Sequence, residues 1–431
     1  MTGTPEGGRP RVVVGVGGGI AAYKACQLVR LFTESGHHVD VVPTAAALEF
    51  VGAATFEALS GNPVTTGVFT DVPSVRHVAL GQRADLVVVA PATADLLARA
   101  VAGRADDLLT STLLAARCPV LMAPAMHTEM WEHPSTRRNV ATLRVDGVRV
   151  MPPAVGRLTG TDSGAGRLPE AADIHRLATV LLDGGTLPWD LVGRHVVVTA
   201  GGTREELDPV RYLGNRSSGK QGHALAAVAA ARGARVTLVT AAELPAPPSV
   251  TDVRVTDARE MGRCLLEAAA DADVVVKAAA VADFRPASVA DTKMKKGSAE
   301  EPEAIPLVRN PDLLAGLVGA RREGRVPEHC VLVGFAAETG DAQGSVLDHG
   351  RAKLARKGCD LLVVNEVGRD KTFGLDTNSG WVLDATGGER ALPAGSKSLV
   401  AERILDAAAA LLPPTREPGH PGSAPGGPVS L

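Results

Sequence analysis

Several short stretches of this 431-residue chain combine side chains that could do chemistry. "PAMHTEMW" (124–131) places thioethers, an imidazole, a carboxylate and an indole behind the apolar run "CPVLMAPAM". It admits three readings: core filler, a metal site built on His127, Glu129 and His133, or the wall of a pocket. Met126, Met130 and Trp131 suit the wall best. "VGVGGGIAAYK" puts Gly17, Gly18 and Gly19 where a strand turns into a helix, so backbone N–H groups can approach a phosphate at the helix N-terminus. Later, "GNRSSGK" (214–220) satisfies the spacing of a phosphate loop, but Gln221 stands where that loop needs Ser or Thr for Mg²⁺. The strand before it ends near Thr199, too far upstream for a tight strand–loop–helix. A different loop with amides facing an anion fits better.

Other residues need their context. "DTKMKKG" gathers Lys293, Lys295 and Lys296, a solvated face by default and a triphosphate site if it borders a ligand edge. Lys353 and Lys357 in "RAKLARKG" are four apart and share one helix face. His77 in "VRHVAL" is a single imidazole, structural unless something else brings it to a site.

The elements that must position these residues are short β-branched runs alternating with alanine-rich helical stretches, the pattern of parallel sheets covered by helices. The pattern starts twice. "RVVVGVGGGIAAYKACQLVRLFTESGHHVDVVPT" reads strand, glycine loop, helix, strand, and so does the stretch from "HVVVTAGGT" at His195. The fold class expected is α/β, with two Rossmann-like parallel-sheet domains. "LLDGGTLPWDLVG" separates them near residue 190. Expected boundaries are residues 1–10 disordered, a first domain at 11–190, a second at 191–412, and a Pro/Gly/Ser-rich disordered tail at 413–431.

In the first half, "VDVVPT" ends in Pro43-Thr44, where a dinucleotide fold would place Asp or Glu for a ribose; a mononucleotide such as FMN is favoured over NAD. A buried strand at 86–90 runs into Ala90, Pro91, Ala92 and Thr93, small enough for a flat ring to lie close. Thr110, Ser111 and Thr112 offer hydroxyls for phosphate or plain helix caps. In the second half, "VVKAAAVADF" takes a strand through Lys277 and Ala278–Ala280 to Asp283 at the sheet's edge, and "TAGGTREELDPVR" brings Arg211.

Bulk properties narrow the function classes. The net charge is −3 and aromatics are 3%, which disfavours nucleic acid as a partner. Five cysteines without a C-x-x-C, no signal-type apolar segment and no membrane-length run point to the cytoplasm.

"GVGGGIAAYK", "VRHVAL", "APATADLLAR", "PAMHTEMW" and "DSGAGRLPE" follow one another as in the flavin-dependent cysteine decarboxylases. Over about residues 10–412 the chain resembles the bifunctional phosphopantothenoylcysteine decarboxylase/phosphopantothenate–cysteine ligase family of coenzyme A biosynthesis. For the first half the resemblance implies FMN held by residues 17–20 (Ile20 included), Thr44, the 90–93 segment and Ser111. His77 would be the active-site histidine, with Met126 and Met130 on the substrate side. Oxidation of the thiol-bearing carbon would create the electron sink for loss of carbon dioxide, and the electrons would then return. For the second half it implies 4′-phosphopantothenate activated by CTP with Mg²⁺, then attacked by the amine of cysteine. Asn215 would handle the acyl-cytidylate and Lys293 would be the essential lysine. Arg211, Lys277–Ala280, Asp283, Pro311, Asp312, Leu313, Leu314, Phe335, Lys353 and Lys357 would contact CTP or substrate. The family also implies homo-oligomers, decarboxylase trimers joined through ligase dimers.

The chain departs from the family at three places. Gly17 replaces a common Ser. His127 replaces an Asn thought to hold the substrate carboxylate. Gly160 replaces the flap cysteine that supplies a proton, which leaves His127 or water as the expected donor. Two rival readings are a flavin-binding regulatory protein and a peptide-cysteine decarboxylase. The first lacks its acidic tail here, and the second leaves the other half without a purpose.

Overall fold

The computed structural model describes residues 9–66, 76–158, 162–294, 304–338, 344–366 and 377–414. Residues 1–8 and 415–431 at the ends, Lys295, Lys296 and Gly160 lie outside the described residues.

The first half is a five-stranded parallel sheet. Its spatial order is His38–Pro43, Arg11–Val16, Leu86–Ala92, Val120–Pro124 and Arg149–Val150. Val12, Val13, Val14, Val87, Val88 and Val89 are all buried, as continuous β-branched runs must be when helices cover both faces. Numbered by sequence, the order is 2-1-3-4-5, so the connections reverse direction between the first and third strands. Open α/β sheets bind ligands at that reversal, outside the carboxyl ends of the strands.

The second half holds an eight-stranded sheet. Its parallel part runs Val250–Arg254, Arg235–Thr240, His195–Ala200, Val274–Lys277, Val331–Glu338 and Leu361–Glu366. These six strands take the order 3-2-1-4-5-6, reversing between His195–Ala200 and Val274–Lys277. Two antiparallel strands, Thr377–Asp384 and Glu389–Ser396, complete one edge. The sequence pattern shows neither this edge nor two small hairpins, Arg204–Glu206 with Tyr212–Gly214 and Phe284–Pro286 with Leu307–Arg309. Strands of three residues are too short for a period-2 signal to rise above loop composition.

The helix Lys220–Ala231 is buried from Gly222 to Ala230, which accounts for its alanine-rich character. It packs between the sheet and the C-terminal helix Lys397–Ala409, which also meets Ala171–Leu182 of the first half. The connecting segment is tied to that C-terminal helix. Glu402 Oε1 accepts from the N–H groups of Thr186 and Leu187, each at 2.6 Å, and Arg232 pairs with Asp190 at 2.6 Å and Asp406 at 2.8 Å.

Candidate active sites at two sheet reversals

A cavity of about 1380 Å³ lies at the reversal of the first sheet. Strand Arg11–Val16 ends in the glycine loop, and the Gly17 N–H donates to Pro91 O at 3.0 Å. A Cβ on Gly17 would stand 2.5 Å from that oxygen, and one on Gly18 would overlap Ala46, so a side chain at either position requires the backbone to shift, whereas Gly19 has room for one. Thr44 and Thr93 each cap a following helix, accepting from Ala47 N at 3.2 Å and Leu96 N at 3.3 Å. Gly18, Gly19, Ile20, Thr44, Pro91 and Thr93 face the cavity. Gly17, Ala90, Ala92 and Ser111 do not line it: Ala90 and Ala92 are core strand positions, and Ser111 is buried in the helix Leu108–Ala115.

The opposite wall contains Met126, His127 and Met130. His127 is the exposed residue before the helix Thr128–Glu132, whereas Trp131 turns inward and is buried. A hairpin, Ala154–Arg157 with Ser163–Arg167, closes against this segment through Met126 N–H to Gly166 O at 2.9 Å. The pocket-wall reading of "PAMHTEMW" therefore fits; among the described residues no His/Cys/Asp/Glu group of metal-site size forms.

The sequence did not single out the charged rim. Arg99 pairs with Asp106 and, at 2.8 Å, with Asp107; Glu170 receives Arg167 and, at 3.3 Å, Lys24. These partners are 3 to 146 residues apart, and only the fold brings the distant ones together. His77 lies outside the cavity, on the helix Arg76–Arg83 packed against Leu108–Ala115, and its Nδ1 is buried without a hydrogen-bond partner.

The second sheet's reversal holds a cavity of about 870 Å³. The stretch after strand Val274–Lys277 is pinned open: Ala279 N–H donates to Thr199 Oγ1 at 3.1 Å, Ala282 N–H to Thr203 Oγ1 at 2.9 Å, and Ala280 N–H to Gly201 O at 2.8 Å. Asn215 reaches across with Nδ2 to Val281 O at 3.0 Å. Lys277–Ala280, Asp283, Pro311–Leu314, Phe335, Lys353 and Lys357 all line this cavity with Asn215. Gly219, in the left-handed region at φ 75°, opens the helix Lys220–Ala231, so "GNRSSGK" leads into a helix after a hairpin rather than directly after a strand.

Lysine charge concentrates here. Burial, with Lys353 and Lys357 nearby, pushes the Lys277 ammonium down to about 8 against the opposing pull of Asp312 and Asp283. Lys357 pairs with Asp312 and Lys353 with Glu338 at 2.9 Å. Asn310, Asn365, Asn378 and Lys397 also reach the lining; they stand singly in a loop, in strands and at a helix start, where sequence carries no motif signal for them.

Arg211 and Lys293 lie outside the cavity lining. Arg211 holds the buried Asp208 at 2.7 Å and donates to Met294 O at 2.8 Å, so exposed Lys293 stands beside that turn. Burial would raise the Asp208 carboxyl, but the Arg211 side chain and three backbone N–H groups hold it far below the usual carboxylate range.

Residues 4–182 match the Flavoprotein family, and residues 191–412 match the DNA/pantothenate metabolism flavoprotein C-terminal domain. The Coenzyme A biosynthesis bifunctional protein CoaBC of Mycolicibacterium smegmatis is 65% identical over 407 residues, covering 94% of this chain and 98% of that protein. The protein of the same name from Mycobacterium tuberculosis is 64% identical, covering 92% and 96%. That from Bacillus subtilis is 42% identical, covering 94% and 98%. With two sheet reversals, each carrying its own cavity, and end-to-end similarity of this order, the chain belongs to the bifunctional coenzyme A biosynthesis family, a flavoprotein-type decarboxylase half joined to a ligase-type half.

Proposed function

We propose that the second half joins 4′-phosphopantothenate to cysteine at the expense of CTP, and that the first half decarboxylates the product with FMN to give 4′-phosphopantetheine. The observation that supports this most is the contrast between the cavities: one with a glycine cradle and apolar walls, the other with five lysines (Lys220, Lys277, Lys353, Lys357 and Lys397) at a nucleotide-type edge.

In the first half the cradle fits a mononucleotide phosphate, because Gly18 and Gly19 bring side-chain-free backbone to the cavity at the helix start. Bound FMN supplies a two-electron acceptor and donor. Gly18, Gly19 and Ile20 would hold its phosphate, and Pro91 and Thr93 would lie along the ring. Met126, Met130 and His127 would face the substrate, with the 154–167 hairpin excluding water. His77 would act from a neighbouring copy, since its helix does not reach the cavity of its own chain. A ring N–H of His127 would take the place of the amide that other members offer the substrate carboxylate.

In the second half Lys277, Lys353 and Lys357 would carry the triphosphate and stabilise the charge that develops as pyrophosphate leaves. Ala278–Ala280 leave room for the base, Asn215 would orient the acyl-cytidylate, and Mg²⁺ would accompany the phosphates. Lys293 and Arg211 border an apolar face of exposed Val210, Tyr212, Phe284 and Leu307. That face suits pairing with a second copy, which would bring a partner's Lys293 toward the cavity. The substrates are small molecules, and no described helix is long and apolar enough to cross a membrane.

Purified protein should show a flavin absorption spectrum and release pyrophosphate only when CTP, 4′-phosphopantothenate and Mg²⁺ are all supplied. A colourless protein, or pyrophosphate release unaffected by omitting 4′-phosphopantothenate, would overturn the assignment.

A further inference from the structure

A third cavity, of about 200 Å³, lies where the two halves meet. Leu121 and Val150 contribute from the first sheet, Leu187 and Trp189 from the connecting segment, and Ala231 from the second half. It shares no lining residue with either of the other cavities.

Two arginines line it, and among the described residues neither has a carboxylate partner. Arg144 stacks on Trp189 with its guanidinium carbon 3.4 Å from the ring centroid, and Nη2 donates to Val150 O at 2.9 Å. Its Nε is buried with no hydrogen-bond partner. Arg149 gives its donors to the carbonyls of Thr186, at 2.6 Å, and Gly147. Burial, with Arg137 nearby, pushes Arg144 down to about 10, so the group stays a cation at neutral pH and lacks a counter-charge. A half-buried cation left unpaired is costly, and the orphaned buried Nε–H adds to that cost. The segment facing it is also strained: Leu187 adopts φ 43° and is held there by Glu402. Non-glycine residues kept in the left-handed region cluster at ligand clamps.

We propose that this junction cavity binds a small carboxylate with an apolar body, the carboxylate pairing with Arg144 and the body lying against Leu121, Leu177 and Leu187. Water would fill the space without supplying the missing charge. A phosphate dianion would bring more acceptor oxygens than the free donors here satisfy.

Benzoate is a suitable probe for the full-length, FMN-loaded protein. Calorimetry should find one benzoate per chain, with binding weakened at least about tenfold in Arg144→Met and weakened in Arg149→Met. Benzamide, which has the same shape without charge, and inorganic phosphate should not bind at this site. A crystal soaked in benzoate should place the ligand beside Arg144 and Trp189; this soak decides the matter if Arg144→Met fails to fold. Benzoate binding unchanged in Arg144→Met, equal binding of benzamide or phosphate, benzoate seated elsewhere, or no saturable binding up to about 10 mM would each overturn the proposal.

Discussion

At the first sheet's reversal the ligand-facing groups are loop amides, threonine caps and apolar walls inside a rim of paired charges; at the second they are five lysines with two carboxylates, Asp283 and Asp312. Both cavities sit where strand order reverses, because that is where two loops diverge and leave a crevice. What fills the crevice then decides the ligand. The first has Ile20, Leu96, Met126 and Met130 for a flat ring, and its glycine cradle can approach one phosphate closely. In the second, Lys357 and Lys353 are already paired with Asp312 and Glu338, so a triphosphate would exchange places with protein carboxylates rather than meet bare ammonium groups. Such a site holds its cations in position before the ligand arrives and needs little rearrangement to receive it.

The contrast can be broken one half at a time. The largest effect expected is from Lys293→Ala, which should abolish amide formation while the flavin spectrum and decarboxylation of supplied phosphopantothenoylcysteine stay unchanged. Loss of both activities together would show that the halves are not separate catalysts. His77→Asn should keep bound FMN yet release no carbon dioxide, measured with labelled substrate. Retained release would make this imidazole structural. Gly18→Ala forces a methyl into Ala46, at a cost of about 1–3 kcal/mol for overpacking, and should lower flavin content while sparing the ligase.

The predicted pH effect is smaller. Lys277 is a cation below about 8 and loses its proton as pH rises through that value, so kcat/KM for CTP should fall above pH 8. Lys277→Met should cost roughly tenfold at pH 7, the size of one charge-assisted hydrogen bond, and flatten that limb of the profile. A profile still falling in the variant would assign the titration to another group. Smallest and most specific is the product test at His127. Mass spectrometry should find the saturated product, formed more slowly in His127→Ala than in His127→Asn; equal rates would reduce His127 to wall, and product lighter by two hydrogens with flavin left reduced would show that replacing the flap cysteine halts the reaction.

Much of this was legible because each half advertises its reversal in one contiguous piece. "GVGGGIAAYK" and "VVKAAAVADF" are strand ends followed by small residues, and both line cavities. "PAMHTEMW" was also readable, since Trp131 packs inward while His127 and Met130 face out. Lys24 with Glu170 and Asn378 at the second cavity were not readable, because each depends on contacts between distant segments. Ser111 shows the limit from the other side: a hydroxyl in a promising motif turns into the core because its helix face packs there. Arg144 is the sharpest case, a basic residue in a polar helix whose burial arises only when Trp189 of the connecting segment folds over it.

The central claim is that one chain carries two independent sites, one at each sheet reversal. A crystal structure of the protein soaked with CTP and Mg²⁺ while FMN is bound tests it most directly. The flavin should lie between residues 17–20 and 91–95 of the first half, and CTP between residues 215–222 and 278–283 of the second, with its phosphates among Lys277, Lys353 and Lys357. Both ligands in one cavity, or CTP bound away from the second reversal, would contradict it.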